Sequence, residues 1–265
     1  MVKLPKLRYQ ARLNPIFFLI FIFSVIYASA YFGSPSFWWS CYFVYFLTFF
    51  FGVGMGLHRL VAHEAAKIPK IIFYPSVFLG SLANVGTPIN WYLGHNLHHK
   101  FADKPEDPIL PTLKGLNHLL GAYGDGDQKE LTKILLLGAH SPILHDRFLH
   151  SLNDYFYYYL LGTYLFLGFS CGVSFLLIFV IGSLAALVAT SFLTYWSHCP
   201  GLGLKRTVLP NNSVNMPGLF WLFFGEEIHN NHHAKPKSPT NSVVWWEVDP
   251  IGFFILLVKR RRGHE

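Results

Sequence analysis

The chain has 265 residues, of which 52% are hydrophobic, 18% aromatic and 13% charged, and its formal net charge is +7. These values exclude disordered proteins, collagen-like proteins and disulfide scaffolds, and they disfavour an ordinary soluble domain, in which about a quarter of the residues would be charged. The three cysteines, Cys41, Cys171 and Cys199, are too widely spaced to indicate a disulfide framework.

Two long segments contain no Asp, Glu, Lys or Arg, one from Leu13 to Leu57 and one from Tyr155 to Leu204. Each can hold two helices of about 20 residues, the length that crosses a bilayer. Gly33–Ser36 interrupts the first segment and Cys171-Gly172 the second, which predicts two helical hairpins in an all-α integral membrane protein with one domain, 1–265. The four predicted spans lie near residues 13–32, 37–57, 155–172 and 174–195.

The basic residues predict the orientation of these spans. Four Lys and Arg residues precede residue 13, nine lie in 58–154 and eight follow 204, whereas the two hairpin turns have none. Because basic loops stay in the cytosol, we predict a multi-pass protein of the bacterial inner membrane or the endoplasmic reticulum, with both termini cytosolic. The positive charge then reflects an anionic membrane face, and no nucleic acid partner is expected.

An alternative interpretation concerns the first span. The basic residues from Lys3 to Arg12, the apolar run after them and Ala28-Ser29-Ala30 also fit a cleavable secretory signal peptide. Cleavage would leave three spans and would place the two halves of the histidine set described below on opposite sides of the membrane.

Two further apolar segments are poor candidates for spans. Ile71–Gly94 contains Pro75, Asn84, Pro88 and Asn90, and Val243–Val258 is short and contains Glu247, Asp249 and Pro250. We expect both segments to form helices that lie in the membrane interface or against the core, without crossing the membrane.

Three histidine clusters carry the main functional signal. Their residues are His58 and His63; His95, His98 and His99; and His229, His232 and His233. On a helix, positions i, i+3 and i+4 share one face, so each HxxHH motif is expected to turn its three imidazoles the same way. His58 and His63 would diverge by about 140° on an α-helix, which predicts a local distortion or a metal beside that helix.

His198, just after the last predicted span, is a ninth candidate ligand. Nine imidazoles exceed what one ion coordinates, so two metal ions are expected, and neutral imidazole suits iron, zinc, copper and nickel. The remaining histidines lack this spacing and are interpreted as surface or structural residues: His118, His140, His145, His150 and His264.

The sequence resembles the membrane-bound fatty acid desaturases, in particular their acyl-CoA (Δ9, stearoyl-CoA-like) branch. The resemblance covers most of the chain and rests on three motifs in order: GVGMGLHRLVAH at 52–63, GHNLHHKFADKPEDP at 94–108 and NNSVNMPGLFWLFFGEEIHNNHHA at 211–234. Four positions depart from the family pattern: Ile109, Thr194, Glu227 and Ile228.

The resemblance implies a cytosolic di-iron centre, with zinc as a possible substitute during purification. It implies one iron held by His58, His63, His99 and His233. It implies a second iron held by His95, His98, His198, His229 and His232. The family usually has an Asn that holds a metal-bound water at the position of Thr194, so Thr194 is a candidate for a water-mediated contact.

The family also implies the reaction: an O2-dependent desaturation that introduces a cis double bond into a long-chain acyl-CoA or acyl-lipid, with electrons from a cytochrome b5 or ferredoxin type donor. A hydroxylase or another oxidative enzyme on the same di-iron scaffold is the main alternative, because it shares the first hydrogen abstraction. A membrane metal transporter is a distant alternative, since its ligands should lie inside the spans, which contain almost no ionisable residue.

Smaller hypotheses concern residues near the histidines. Four carboxylates, Asp103, Asp107, Glu226 and Asp249, are expected either to orient imidazoles or to be solvated loop charges. Arg59 and Lys100 are candidates for contacts with the phosphates of an acyl carrier. The aromatic run Phe46–Phe51 is expected to face lipid, or in part to line a tunnel for the acyl chain.

Overall fold

The computed structural model of the chain describes residues 8–109 and 128–260, and its regular elements over these ranges are helical, with only isolated β-bridges at Leu204, Asn215 and Ile228. The helices are α1 (Arg8–Tyr31), α2 (Pro35–Phe46), a π-helix (Leu47–Ala62), α3 (Lys70–Leu82), α4 (Pro88–Phe101), α5 (Gln128–Leu137), a 3-10 turn (Pro142–His145), α6 (Arg147–Asp154), α7 (Phe156–Cys171), α8 (Val173–Trp196), α9 (Phe220–Phe223), α10 (His229–Ala234) and α11 (Pro250–Val258). The predicted helical class is confirmed for the described residues.

Three helices are long and apolar enough to cross a bilayer: Leu13–Tyr31 within α1, the continuous helix Pro35–Ala62 formed by α2 and the π-helix, and α8. Their bounds lie close to the predicted spans, except that the second helix continues to Ala62 and so carries the first histidine pair. The predicted span 155–172 corresponds to α7, which has 16 residues and is about 24 Å long. Three candidate spans are therefore shown, and the fourth stays a prediction.

Both predicted hairpin breaks are present, each with a local cause. The Ser34 hydroxyl accepts a hydrogen bond from Phe37 N, and Pro35 occupies the first turn of α2, a favoured position for proline. Between α7 and α8, Gly172 has φ 83°, a left-handed conformation that glycine adopts without steric cost.

The π-helix is buried on nearly all sides. Fourteen of its 16 residues are buried, between one hydrophobic cluster that includes Phe49 and Val53 and a second that includes Leu57 and Val61. Helix α3 packs directly on it, because Gly52 and Gly80 let the two backbones meet: a Cβ at Gly52 would lie 2.5 Å from Gly80 N. The glycine-rich sequence before the first histidine is thus a helix-packing surface.

The segment 71–94 begins and ends at the same end of the π-helix. Helix α3 leaves this end after His63, the chain reverses at Asn84 (φ 60°) and Gly86 (φ 123°), and α4 brings His95 back to 4.8 Å from His63 between ring centroids. This return agrees with the prediction that the segment does not cross the membrane.

The prediction for 243–258 is confirmed over its second half. Helix α11 begins at Pro250, with its first turn capped by Asp249, whose carboxylate accepts from Gly252 N. Ile251 and Ile255 are buried against the core. The residues before Asp249 are not helical.

Candidate metal centre

The first histidine pair meets through π-helical geometry. The His63 N–H donates to the His58 carbonyl at 3.2 Å, a hydrogen bond that spans five residues instead of four. One π turn therefore separates the two side chains, and their ring centroids lie 5.1 Å apart. The predicted distortion of this helix is present, and it removes the divergence that an α-helix would impose.

The two HxxHH motifs lie on α4 and α10, but neither turns all three imidazoles the same way. In the second box, His95 and His99 have their Nε2 atoms 3.1 Å apart, whereas His98 lies 4.9 Å from the His198 ring. In an α-helix, i and i+4 differ by about 40° in direction, while i+3 points about 100° away from i+4. Each box thus divides into an i/i+4 pair and a separate i+3 residue.

The third box follows the same rule. The Nε2 atoms of His229 and His233 are 3.1 Å apart, and His232 turns away to lie 2.9 Å from His58 through the two Nε2 atoms. The expectation that each box would present a single face was wrong for this reason.

The nine candidate histidines form two groups in which all ligand atoms lie within 4.8 Å of one another. The first group is His58, His63, His95, His99 and His232, and the second is His98, His198, His229 and His233. This corrects the partition that the resemblance implied, since His95 and His232 lie in the first group and His233 in the second. Among the described residues, His140, His145 and His150 belong to neither group; His118 and His264 lie outside the described residues.

Three carboxylates bind the far nitrogen of an imidazole. Glu226 contacts His58 Nδ1, Asp107 lies 2.8 Å from His98 Nδ1, and Asp103 lies 3.0 Å from His198 Nδ1. A carboxylate holds the imidazole proton on Nδ1, which leaves the lone pair of Nε2 free to face a metal. These three carboxylates orient imidazoles, as one of the two hypotheses proposed.

The ionisation of these groups suits metal binding. Burial alone would raise the pKa of the Asp107, Asp103 and Glu226 carboxyls, but the neighbouring imidazoles, together with Arg59 for Glu226, bring each pKa below its ordinary value. Burial, followed by the charges of neighbouring groups, lowers the pKa of six imidazoles well below the ordinary value: His63, His95, His99, His229, His232 and His233. The lowered pKa favours the neutral form of these six imidazoles, which is the form that binds metals.

The donor set fits a pair of metal ions. The close Nε2 pairs are 2.9 to 3.1 Å apart. Two nitrogens at about 2.0 to 2.1 Å from one ion, at a right angle, would be about 3 Å apart. The Nε2 atoms of His63 and His98 are buried and form no hydrogen bond with any residue that the structure describes. Buried, neutral nitrogen donors that converge in this way match divalent transition metals, iron included.

Arg59 supports the first cluster through Glu226, which contacts His58. Its side chain is 1% exposed, and it donates from Nε to Glu226 at 2.7 Å and from Nη1 to Asp249 at 2.8 Å. This burial contradicts the hypothesis that Arg59 meets carrier phosphates. Asp249 therefore supports Arg59, not an imidazole.

Lys100, the other candidate for contacts with carrier phosphates, is exposed and forms an ion pair with Glu130 at 2.6 Å. Its contact with phosphates stays a prediction.

A cavity of about 130 Å³ opens beside both clusters. Its walls include the apolar side chains Phe49, Val53 and Leu193, and four of the nine imidazoles line it: His58, His95, His98 and His229. Within the aromatic run 46–51, Phe49 and Phe50 are buried in protein, and Phe49 lines this cavity. For these two residues the expected contact with lipid was wrong.

Two polar residues of the cavity wall come from helices that are long and apolar enough to cross a membrane. Thr194 lines the cavity, and its hydroxyl donates to the Thr190 carbonyl at 2.8 Å. Asn14, buried near the start of α1, lines the same cavity and was not among the site residues predicted from the sequence. A polar residue at the start of a charge-free segment was the available signal, because polar groups in spans usually serve a function.

Comparisons with known proteins agree with this geometry. The sequence profile of the family "Fatty acid desaturase" matches residues 36–250. The chain is 33% identical over 227 residues to Delta-9 acyl-lipid desaturase 2 of Arabidopsis thaliana, covering 83% of this chain and 72% of that protein. It is 30% identical over 252 residues to sn-1 stearoyl-lipid 9-desaturase of Anabaena variabilis, covering 89% and 86%. It is 28% identical over 238 residues to Icosanoyl-CoA 5-desaturase of Limnanthes douglasii, covering 86% and 64%.

Proposed function

This chain belongs to the fatty acid desaturase family, and from that premise we propose that it introduces a cis double bond into a long-chain acyl group carried as an acyl-lipid or an acyl-CoA. The observation that carries the proposal is the pair of imidazole clusters at the wall of an apolar cavity. An acyl chain offers no polar group along its length, so a cavity that binds it must recognise shape and apolar surface.

The nine histidines are proposed to hold two iron ions, one in each group that the structure brings together. When bound, the irons supply the O2-dependent oxidation of a CH2–CH2 pair, chemistry that no amino acid side chain provides. Zinc can replace iron on purification, because affinity for nitrogen ligands does not favour iron.

The protein's own residues supply positioning. Phe49, Val53 and Leu193 bind the acyl chain and exclude water, which places its CH2 groups beside the imidazoles that line the cavity. Glu226, Asp107 and Asp103 keep three imidazoles in one tautomer and one orientation. Thr194 is positioned to contact a water at the edge of the clusters, since its side chain lines the same cavity.

We propose an external electron donor of the cytochrome b5 or ferredoxin type, because the sequence contains no haem-binding or flavin motif. For the topology, we propose four spans, including α7, with both termini and the clusters on the cytosolic side. Cysteines introduced at Lys67 and Lys104, both exposed near the clusters, should react with a membrane-impermeant reagent only from that side, and a cysteine at Ser36 only from the other. Reaction of Lys67→Cys and Lys104→Cys from opposite sides would contradict this topology.

Expression in a host that lacks its own desaturase tests the activity. Mass spectrometry of the host fatty acids should show new cis-monounsaturated chains. A hydroxylated product would be compatible with the metal clusters but would show that the reaction is hydroxylation, not desaturation. Metal transport without any altered lipid would refute the proposal that the protein is an enzyme.

A matched pair of histidine variants tests the ligands. His198 lies in the second cluster with its Nε2 3.1 Å from His229 Nε2, whereas His145 is exposed and contacts the Ala139 carbonyl. His198→Ala should lower the metal content and abolish product, while His145→Ala should leave both within about twofold of the wild type. Equal effects of the two substitutions would contradict the assignment of His198.

A further inference from the structure

A short segment before the third histidine box, Leu219–Phe224, packs against the second span. The Tyr42 hydroxyl donates to the Trp221 carbonyl at 2.8 Å, and the Tyr45 hydroxyl donates to the Leu222 carbonyl. The Phe224 ring packs on Phe46, with centroids 5.5 Å apart. The segment, which contains α9, therefore lies beside the end of α2 and the start of the π-helix.

The depth of this contact follows from neighbouring helices. Near the start of the charge-free part of α1, Asn14 lines the same cavity as Phe49. Further along α1, Ala28 packs in one cluster with Cys41. Tyr42 lies between these two levels of the second span, and it precedes Phe49 by seven residues, about 10 Å along a helix. The Trp221 carbonyl is thus level with the interior of a charge-free span. The chain returns to the level of Phe49 at Phe223 and Phe224, whose rings both lie 6.2 Å from the Phe49 ring.

The backbone carbonyls of the segment are suited to an environment without water. All six carbonyls from Leu219 to Phe224 accept hydrogen bonds. Leu219 O and Phe220 O accept from amides at the end of the segment, and the next two carbonyls accept from the tyrosines. Phe223 O accepts from Glu226 N at 3.0 Å and Phe224 O from Ile251 N at 3.2 Å. In hydrocarbon, an unpaired carbonyl costs several kcal/mol, whereas water would satisfy it in an exposed loop.

All six side chains of the segment are apolar, and two of them are exposed whereas Phe223 and Phe224 are buried. Phe220 is 41% exposed and Trp221 is 55% exposed. They continue the exposed aromatic face of α2, where the Trp39 ring lies 6.0 Å from the Tyr42 ring and Phe43 is also exposed. A contiguous exposed apolar face of this kind marks a contact with a membrane or another protein.

We propose that Leu219–Phe224 is a membrane-inserted loop, in which Phe220 and Trp221 contact the acyl chains of the surrounding lipids. The hydrocarbon of the bilayer is the occupant that the depth and the paired carbonyls favour. Because Glu226 follows two residues later, the loop would place the chain just before the third histidine box in contact with both the second span and the bilayer.

The experiment measures the environment of a nitroxide label in the full-length protein, reconstituted in phosphatidylcholine bilayers. Cys171→Ser and Cys199→Ser remove the accessible native cysteines, and Cys41 is buried. Labels are then placed by Trp221→Cys, by Phe43→Cys as the lipid-facing control and by Val208→Cys as the water-facing control, since both control positions are exposed. Collision with O2, which concentrates in hydrocarbon, is compared with collision with a water-soluble nickel chelate.

The label at 221 should collide with O2 and not with the chelate, as at 43, with the ratio of the two differing at least fivefold from that at 208. A ratio equal to that at 208 would place the loop in water and overturn the proposal. Protection from both reagents would mean that protein, such as a second copy of the chain, covers the loop, which would also overturn it. If Trp221→Cys does not fold, Phe220→Cys carries the same test. These outcomes do not depend on enzyme activity, so they are distinct from a failure of the proposed function.

Discussion

Helix α1 and the helix Pro35–Ala62 look alike in sequence but occupy different environments. Both are apolar and nearly free of charge, yet 17% of the apolar window of α1 is buried inside the protein against 67% for the second helix. An apolar side chain avoids water equally well in lipid and in a protein core, so hydropathy does not separate the two cases. The glycines do: α1 has none, whereas Gly52, Gly54 and Gly56 mark the helix on which other elements pack.

The largest effect is expected at Arg59 on the helix Pro35–Ala62, which we call the covered helix because most of it is buried inside the protein. Arg59→Leu leaves the buried carboxylates of Glu226 and Asp249 without their cation, which should cost about 5 kcal/mol, at the upper end for a broken buried ion pair. Thermal unfolding in detergent measures the loss, and metal analysis should show weaker binding in the first cluster. Arg147→Leu, at an exposed arginine, is the control and should change little; equal destabilisation by both would contradict the role of the buried network.

Glu227 lies close to Tyr45 of the helix Pro35–Ala62, and its carboxyl should make the stability of the protein depend on pH. Burial raises the pKa of its carboxyl to about 8. Between the ordinary value of 4.5 and about 8, the unfolded chain loses this proton while the folded protein keeps it, so the group destabilises the fold as pH rises. Glu227→Gln should therefore raise stability by up to about 4 kcal/mol at pH 8 and have little effect near pH 4.5. A gain that is the same at both pH values would show that the carboxyl is not responsible.

Substitution of one phenylalanine on each helix tests the difference between the covered helix and α1 directly. Phe49 on the covered helix is 1% exposed, and Phe23 on α1 is 67% exposed. Phe49→Ala should destabilise the protein by about 3 to 4 kcal/mol through the cavity it leaves, and Phe23→Ala by less than about 1 kcal/mol. The shift in thermal midpoint measures both, and similar shifts would mean that α1 is covered in the membrane by a partner.

Two glycines give the smallest effect. A Cβ at Gly52 would meet the backbone of α3, whereas a Cβ at Gly162 on α7 has no atom within 4 Å. Gly52→Ala should cost about 1 to 3 kcal/mol because the backbones must separate. Gly162→Ala should be neutral or stabilise by about 0.5 to 1 kcal/mol, since alanine favours a helix interior. If Gly52→Ala were also neutral, the close contact between α3 and the π-helix would be wrong.

The sequence by itself determined the features that depend on local composition. Charge-free segments located the three candidate spans, and Gly172 marked a helix break. The spacing of the histidines identified eight of the nine side chains that the structure brings together, and the position of His198 just after the last predicted span identified the ninth. Such patterns can be recognised in the sequence alone because a helix places i, i+3 and i+4 near one another whatever surrounds it.

Only the tertiary structure decided which imidazoles meet and what supports them. The rotation of a helix about its own axis must be known to within about 100° before the i+3 histidine can be assigned to one cluster or the other. The packing of α4 and α10 sets that rotation. The burial of Arg59 depends on Glu226 and Asp249, more than 160 residues away. The π-helix likewise depends on the elements packed around it, because its hydrogen bonds join residues whose own preferences fit an α-helix as well. Contacts between residues distant in sequence contribute most of this stabilisation, and no local pattern records them.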